Sequence, residues 1–183
     1  MSETEYDVIV AGYGPVGETC ANLLGYYGIK ALILDKEKNT YPLPRAITWD
    51  AECQRAMSHC EFLSEVKTRK IRGVDNKDAN KKSIMKITME GFDTYNYQHR
   101  ILFIHQPQFD EAHRENAKKY PTNTIKTGSE LLAVDEVNGI INCTYKNVDT
   151  DEKFTVKSKY LLACDGANST VRKLNGIKLH SLD

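Results

Sequence analysis

Short apolar runs alternate with a helical pattern at the start of the chain. Val8 to Ala11 form a continuous apolar run, which is typical of a strand buried on both faces of a parallel sheet. The following segment, PVGETCANLLGYYG, has helical spacing, with Pro15 in its first turn and Gly28 placed to end it. We expect one apolar stripe on this helix, formed by Val16, Cys20, Leu23 and Leu24. KALILDKE is a second apolar strand, so the pattern predicts a βαβ unit.

The middle of the chain has a less regular pattern. Helical spacing from about Asp50 to Leu63 predicts a helix, and the charged residues 67–82 predict a solvated loop. SIMKITM and RILFIH are short strand patterns, so residues from about 75 to 104 could leave the main domain for a second, substrate-side sheet. PQFDEAHRENAKKY then predicts a helix that begins near Pro107.

The last third of the chain favours strands. From Thr124 to Lys159, strand patterns separated by NG and DTDE predict an antiparallel meander. YLLACD is a final strand that is apolar throughout. The fold class is therefore α/β, a Rossmann-like parallel sheet with an antiparallel β-meander, and 183 residues suit one domain over residues 1–183.

Composition removes several function classes. Twenty-five basic and 25 acidic residues give no net charge, so nothing favours nucleic acid or an anionic membrane as a partner. No run of about 18 apolar residues and no secretory signal occurs, which predicts a soluble, cytoplasmic protein. Five scattered cysteines without a C-x-x-C pair suit a reducing compartment. His99, His105 and His113 lack ligand spacing, so we expect no metal site.

The segment GYGPVG, residues 12–17, is a G-x-G-x-x-G motif between a strand and a helix. Such a motif needs Gly12 for a tight turn, Gly14 for close approach of a pyrophosphate, and Gly17 for helix-to-strand packing. Pro15 and Val16 lie in the same turn, where the helix N-terminus would face the phosphates. These residues are candidates for binding a dinucleotide, and a plain glycine turn is the alternative.

Asp35 ends the second strand, about twenty residues after the glycines. A carboxylate there can accept hydrogen bonds from ribose hydroxyls and would repel a 2′-phosphate, which leaves FAD or NAD as the cofactor. The adjacent Lys36 is also a candidate cofactor contact, whereas Glu37 could compete with Asp35 for the ribose. Asp35 could instead be only a polar strand end. We expect Glu18, one residue after the glycine turn, to face solvent.

Three further segments carry a resemblance to a known family: PRAITWD, HQPQFD and CDGANSTVR. Together with the glycine turn, and in the same order, they resemble the FAD-dependent aromatic hydroxylases of the para-hydroxybenzoate hydroxylase type. The match is closest to the phenol and 3-hydroxyphenylpropionate hydroxylase branch.

The resemblance implies cofactor roles for residues in each segment. Arg45 would reach toward the flavin side of the cofactor, and Gln106 would hydrogen-bond the flavin nucleotide. The D-G-x-x-S-x-x-R motif would contribute to FAD and NAD(P)H binding through Asp165, Gly166, Ser169 and Arg172. Without the family, Arg45 could be a surface residue, Gln106 a helix cap, and Ser169 the cap of the short helix that holds Arg172.

The resemblance implies hydroxylation of a small aromatic substrate with FAD, NAD(P)H and O₂. It assigns no general base, and Tyr95, Tyr97, His99 and His105, near the presumed substrate excursion, are interpreted as packing residues. A catalytically silent FAD- or ADP-binding module, or a related flavoprotein reductase or oxidase, remain as alternatives.

The resemblance covers the N-terminal portion of a family member, before the second flavin motif. The chain alone is therefore expected to bind FAD poorly and turn over little, and to form a homodimer or pair with a complementing C-terminal chain.

Overall fold

The computed structural model describes residues 5–60, 66–89 and 101–180. The strands in these ranges are β1 Tyr6–Ala11, β2 Ala31–Asp35, β3 Thr48–Asp50, β4 Arg69–Lys70, β5 Gly73–Lys77, β6 Ser83–Thr88, β7 Ile101–Phe103, β8 Asn123–Thr127, β9 Ser129–Val137, β10 Ile140–Asn147 and β11 Lys153–Ala163. The helices are α1 Pro15–Tyr26, α2 Ala51–Met57, α3 Gln106–Lys118 and α4 Thr170–Leu174, with a 3₁₀ turn at Ser58–Cys60. The residues divide into two compact units, one made of 1–40 with 113–183 and the other of 41–112.

A six-stranded sheet, in the order β8-β2-β1-β11-β10-β9, forms the centre of the first unit. The strands β8, β2, β1 and β11 are parallel, whereas β11, β10 and β9 are antiparallel. The long strand β11 belongs to both parts, because β10 pairs with residues 153–158 and β1 with residues 158–163. The predicted fold class, a parallel sheet with an antiparallel meander, is confirmed.

The predicted meander starts too early in the chain. β8, which contains Thr124, pairs in parallel with β2 over the whole of both strands. Helix α3 precedes β8, and parallel pairing needs such a crossover, so the helical pattern before Thr124 was the signal for this placement. The predicted strands ELLAVDEV, GIINCTYKNV and KFTVKS correspond to β9, β10 and β11, so the meander is confirmed. Only its predicted start at Thr124 is wrong, because β8 belongs to the parallel part of the sheet.

The core has one apolar layer on each face of the parallel strands. The residues of β1 alternate between the two layers, with Val8 and Val10 in one and Ile9 in the other. The first layer includes Ala21 of α1 and Ala117 of α3, and the second is closed by Cys143 and Tyr145 of the meander.

Helix α1 turns a different face to the sheet from the expected stripe. Its buried residues are Gly17, Glu18, Ala21, Asn22 and Gly25, whereas the side chain of Val16 is 64% exposed. Cys20 and Leu24 only border the core. Three of the five buried residues are Gly or Ala, which lets the helix lie close to its neighbours: a Cβ on Gly25 would come within 2.4 Å of the Tyr120 ring.

The second unit contains two small sheets, β3-β7-β4 and the hairpin β5-β6. Trp49 and Phe109 pack edge to face in its interior, with ring centroids 4.8 Å apart. The predicted loop 67–82 is solvated, but it includes β4 and β5, whose residues are exposed and hydrogen-bonded to neighbouring strands. Tyr95, Tyr97 and His99 lie outside the described residues, and the substrate-side role of residues 75–104 stays a prediction.

Candidate functional site

The glycine turn after β1 is packed too tightly for larger residues at two of its three glycines. Gly12 has a φ of +99°, and a Cβ there would lie 2.4 Å from the carbonyl oxygen of Cys164. A Cβ on Gly17 would lie 2.0 Å from the carbonyl oxygen of Gly12. These two glycines therefore have structural roles, as the motif predicts.

Gly14 differs because a Cβ at this position would meet no heavy atom within 4 Å. Gly14 is also the N-cap of α1 and offers no side-chain acceptor to the first-turn amides, including those of Val16 and Gly17. An open surface before a helix N-terminus with uncapped amides fits a phosphate group. The turn therefore fits the pyrophosphate of a dinucleotide.

Asp35 ties the end of β2 to the glycine turn. Its Oδ2 accepts a 2.7 Å hydrogen bond from the Tyr13 amide, and its Oδ1 accepts one of 2.8 Å from the Glu37 amide. Each carboxylate oxygen has a further lone pair, so these bonds leave capacity for a ribose hydroxyl. Lys36 and Glu37 have exposed side chains at the end of the same strand. Ribose binding by Asp35 stays a prediction, now with a defined side-chain position.

Glu18 is buried rather than solvent-facing, and the expectation from the sequence is wrong. Its side chain has no exposed surface, and its Oε1 accepts a 2.7 Å hydrogen bond from Nε of Arg114 in α3. Glu18 follows Gly17 on the face of α1 that packs against neighbouring elements, so its position in the helix buries the side chain. The ion pair with Arg114 offsets part of the free-energy cost of burying this carboxyl group.

Arg114 is a site residue that sequence reasoning missed. Besides Glu18, its guanidinium donates a hydrogen bond to the carbonyl oxygen of Tyr13 and lies 4.6 Å from the centroid of the Tyr13 ring. One guanidinium nitrogen is 3.9 Å from Oδ2 of Asp35. The Arg114 side chain thus holds the glycine turn through a hydrogen bond to the backbone of the turn. Its positive charge also lies beside the carboxylates of Glu18 and Asp35. The pair Glu18 and Arg114 is 96 residues apart in the sequence, and no local pattern joins it.

Burial has a marked effect on the protonation of Glu18. Burial raises the pKa of this carboxyl to about 7, although Arg114 acts in the opposite direction through its hydrogen bond and charge. Nδ1 of His113 lies 3.5 Å from the second carboxylate oxygen. The charge beneath the glycine turn therefore changes near neutral pH.

The D-G-x-x-S-x-x-R segment forms a compact turn that leads into α4. Oδ2 of Asp165 accepts hydrogen bonds from the amides of Thr170 at 2.6 Å and Val171 at 3.1 Å. Ser169 is the N-cap of α4, and its Oγ accepts a 3.0 Å bond from the Arg172 amide. The capping interpretation of Ser169 is confirmed, and a contact with the cofactor stays a prediction.

Arg172 and Gly166 complete this turn. The guanidinium of Arg172 donates to the carbonyl oxygens of Ala167 and Ile177, each at 3.4 Å, and Gly166 has a φ of +80°. The turn lies against the glycine turn, because the Cys164 amide donates a 2.7 Å hydrogen bond to the carbonyl oxygen of Ala11. The fold therefore brings together two of the motifs singled out in the sequence.

Gln106 and Arg45 meet within the second unit. Oε1 of the buried Gln106 accepts hydrogen bonds from the amides of Arg45 at 2.7 Å and Ala46 at 2.8 Å, and Nε2 donates to Asp110 at 3.2 Å. The Arg45 guanidinium lies 4.3 Å from the centroid of the Tyr41 ring. Gln106 thus positions the arginine loop, and a flavin contact by either residue stays a prediction.

Residues 5–60, 66–89 and 101–180 contain no group of three or more His, Cys, Asp or Glu side chains placed to hold a metal ion. In the same ranges no helix is long and apolar enough to cross a membrane.

The two adjoining turns, the open surface at Gly14 and the carboxylate of Asp35 define a nucleotide-binding α/β domain. A family model described as "FAD binding domain" matches residues 5–183, so the chain belongs to this family.

Individual relatives are hydroxylases by name. The chain is 30% identical over 175 residues to the 3-(3-hydroxy-phenyl)propionate/3-hydroxycinnamic acid hydroxylase of Comamonas testosteroni, covering 94% of this chain and 29% of the relative. It is 32% identical over 171 residues to the enzyme of the same name from Escherichia coli O139:H28 (strain E24377A / ETEC), covering 91% and 30%.

Among solved structures, p-nitrophenol 4-monooxygenase PnpA from Pseudomonas putida DLL-E4 is similar with a TM-score of 0.84 and 25% identity. The match covers 95% of this chain and 44% of PnpA. The chain thus spans about 30% of the length of the curated relatives it matches.

Proposed function

We propose that the chain is the FAD-binding portion of a monooxygenase that hydroxylates a small phenolic substrate with NAD(P)H and O₂. The observation that carries the proposal is the glycine turn, where Gly12 and Gly17 exclude any larger residue and Gly14 leaves the helix N-terminus open. The names of the hydroxylase relatives supply the substrate class.

The cofactor site is proposed to combine the motifs in the order of the chain. Gly14 and the first-turn amides of α1 would hold the pyrophosphate, and Asp35 would accept from the ribose hydroxyls of the adenosine. Arg45 would act on the flavin side of the cofactor, held by Gln106 through its loop backbone. The remaining proposed contacts are Gly12, Pro15, Val16, Gly17, Lys36, Asp165, Gly166, Ser169 and Arg172.

Bound FAD would supply the redox chemistry and the activation of O₂, and the protein would supply orientation and electrostatics. The roles proposed for the described residues concern binding of the cofactor, which precedes that chemistry. Asp35 would disfavour a dinucleotide that carries a 2′-phosphate, and the guanidinium of Arg114 places a positive charge beside Asp35 and Glu18. NAD(P)H is proposed as the cosubstrate through the Asp165 to Arg172 motif, and the cytoplasm as the compartment because all five cysteines are free thiols.

A flavin titration of the purified chain tests the cofactor assignment. We expect weak but saturable quenching of FAD fluorescence, as for the N-terminal portion of a family member, with competition by ADP and much weaker competition by NADP because its 2′-phosphate would meet Asp35. Equal competition by ADP and NADP would contradict the role of Asp35, and a lack of FAD and ADP binding would contradict the site.

The hydroxylation reaction needs a separate test, which uses the protein as its natural host produces it. With 3-(3-hydroxyphenyl)propionate and phenol as probes, we expect substrate-stimulated oxidation of NADH or NADPH together with a hydroxylated product detected by mass spectrometry. Oxidation that yields only hydrogen peroxide would identify an oxidase or reductase instead, and would leave the FAD site intact.

A further inference from the structure

Two cysteines from distant parts of the sequence lie side by side in the first unit. Cys20 is in α1 and Cys164 follows the last residue of β11, and their Sγ atoms are 4.0 Å apart. Both side chains are partly exposed. Both thiols are free, and neither has a role in the proposed cofactor chemistry.

The pair lies directly between the two nucleotide motifs. The carbonyl oxygen of Cys164 packs against Gly12, and a Cβ on Gly17 would lie 3.5 Å from Cβ of Cys164. Cys20 follows Gly17 by one helical turn. A bond between the two sulfurs would therefore link the glycine turn covalently to the Asp165 to Arg172 turn.

We propose that Cys20 and Cys164 form a redox-active pair that a hydroperoxide converts into a reversible disulfide between α1 and the end of β11. A disulfide has an S–S distance of about 2.05 Å, so the sulfurs must approach by about 2 Å from their separation in the reduced chain. This inference concerns the thiols alone and does not rest on the proposed function.

The electrostatics of the pair determine which thiol reacts first. The hydrogen bond between the two sulfurs lowers the pKa of Cys20, against the opposing effect of burial. The same bond and burial raise the pKa of Cys164. Cys20 is therefore the attacking thiolate, since the thiolate and not the thiol is the nucleophile.

The reaction balances with one peroxide per disulfide. The Cys20 thiolate attacks one oxygen of hydrogen peroxide, the O–O bond breaks, and the products are a Cys20 sulfenic acid and hydroxide, which takes up a proton to form water. The sulfur of Cys164 then attacks the Cys20 sulfur, loses its proton, and displaces the hydroxyl as a second water. Two thiols are oxidised and one peroxide is reduced to two waters.

Two of the other three cysteines serve as internal controls. Cys53 is exposed, but burial of its sulfur and the neighbouring Asp50 raise its pKa. Cys143 is buried in the core, and burial raises its pKa to about 12. A smaller fraction of either thiol is deprotonated than of Cys20, so both should react more slowly with a peroxide.

The test is peroxide titration of the purified chain followed by non-reducing peptide mapping. We expect a peptide linking Cys20 to Cys164 to accumulate first, with the number of thiols falling by two from five and recovering with dithiothreitol. Cys20→Ser and Cys164→Ser should each abolish the linked peptide, whereas Cys53→Ser should leave it unchanged. Thiol loss in Cys20→Ser should be slower by about tenfold or more.

The mapping of the wild-type chain decides the question even if a serine variant folds poorly. First oxidation at Cys53, whether as an intermolecular dimer or a sulfonic acid, with no linked Cys20–Cys164 peptide, would overturn the proposal. A linked peptide that forms equally fast in urea would also overturn it, because the proximity that the fold provides would then be irrelevant.

Discussion

At the scale of single residues, the site combines two kinds of glycine and one buried ion pair. Gly12 and Gly17 are required by contacts within the protein, whereas Gly14 borders open space. Glu18 is fully buried beneath the same turn and pairs with the partly exposed Arg114. The glycines differ in steric fit, whereas the ion pair concerns charge, so the two features are tested by different experiments.

The two kinds of glycine predict opposite outcomes for alanine substitutions. Gly17→Ala would place a methyl group against the Gly12 carbonyl and should lower the free energy of unfolding by roughly 1–3 kcal/mol. Gly14→Ala has room and an extended backbone, so its effect on stability should stay below about 1 kcal/mol. Its methyl group would nevertheless occupy the phosphate approach and weaken FAD binding by about tenfold.

Urea denaturation and FAD titration of both variants measure these effects. Wild-type FAD affinity in Gly14→Ala would contradict the assignment of the open surface to the pyrophosphate. Wild-type stability in Gly17→Ala would contradict the packing against Gly12.

The raised pKa of Glu18 predicts a specific pH dependence of stability. The folded chain holds this proton up to about pH 7, whereas the unfolded chain releases it near the ordinary value of 4.5. The folded state therefore binds more protons in this window, and the Glu18 contribution to stability is lost as the pH rises from 4.5 to 7. A shift of this size corresponds to an upper limit of about 3 kcal/mol.

Glu18→Gln is the matched test, because it keeps the side-chain shape and removes the titration. Denaturation midpoints between pH 5 and pH 8 should fall less steeply with pH in the variant than in the wild type. Parallel curves for the two proteins would show that Glu18 does not titrate in this range.

At the scale of elements, α3 positions a loop through one side chain. Gln106 at its start accepts two backbone hydrogen bonds from the arginine loop, and the loop side chains themselves are exposed. The loop conformation thus depends on a buried amide group in another element, and not on contacts of Arg45 with the protein interior.

Removal of this amide should release the arginine loop. Gln106→Met loses two hydrogen bonds worth about 1 kcal/mol each, so the loop should open about thirtyfold more often. Trypsin cleavage after Arg45 reports this opening directly. Gln108→Met, at an exposed position of the same helix, is the control and should cleave at the wild-type rate. Equal cleavage of the two variants would contradict the role of Gln106.

The elements also show what the sequence could and could not reveal. Local patterns predicted β1, α1, β2, α3 and the glycine turn, because helical spacing and apolar runs depend on near neighbours. The same patterns placed Val16 on the buried face of α1 and Glu18 outside, since hydrophobicity does not report how closely a helix approaches its neighbours. Arg114 and β8 depend on contacts with residues far away in the sequence, which a local pattern cannot specify.

At the scale of the whole molecule, the two units differ in how their strands are protected. β1 and β2 are buried on both faces of the six-stranded sheet, with Ile9, Val10 and Leu32 fully buried. Every residue of β5 and β6 is exposed in the other unit. Stability should therefore be distributed unevenly along the chain.

Hydrogen exchange followed by mass spectrometry should resolve this difference. Peptides covering β1 and β2 should need an opening free energy about 5 kcal/mol or more above that of the hairpin β5-β6. Added FAD should slow exchange at residues 12–17 and 165–172 while leaving the hairpin unchanged. Uniform exchange along the chain would contradict the uneven distribution, and protection of the hairpin alone would contradict the proposed site.

Because β11 pairs with both β10 and β1, an insertion or deletion is tolerated only at certain places in the chain. An inserted or deleted residue inside β11 would shift its pairing with β10 against its pairing with β1, and would turn one set of side chains to the opposite face. The turn 148–152 carries no such double constraint, because it is exposed at its tip and connects only β10 to β11. Natural length variation among related chains should therefore collect in that turn, and β11 should keep a constant number of residues.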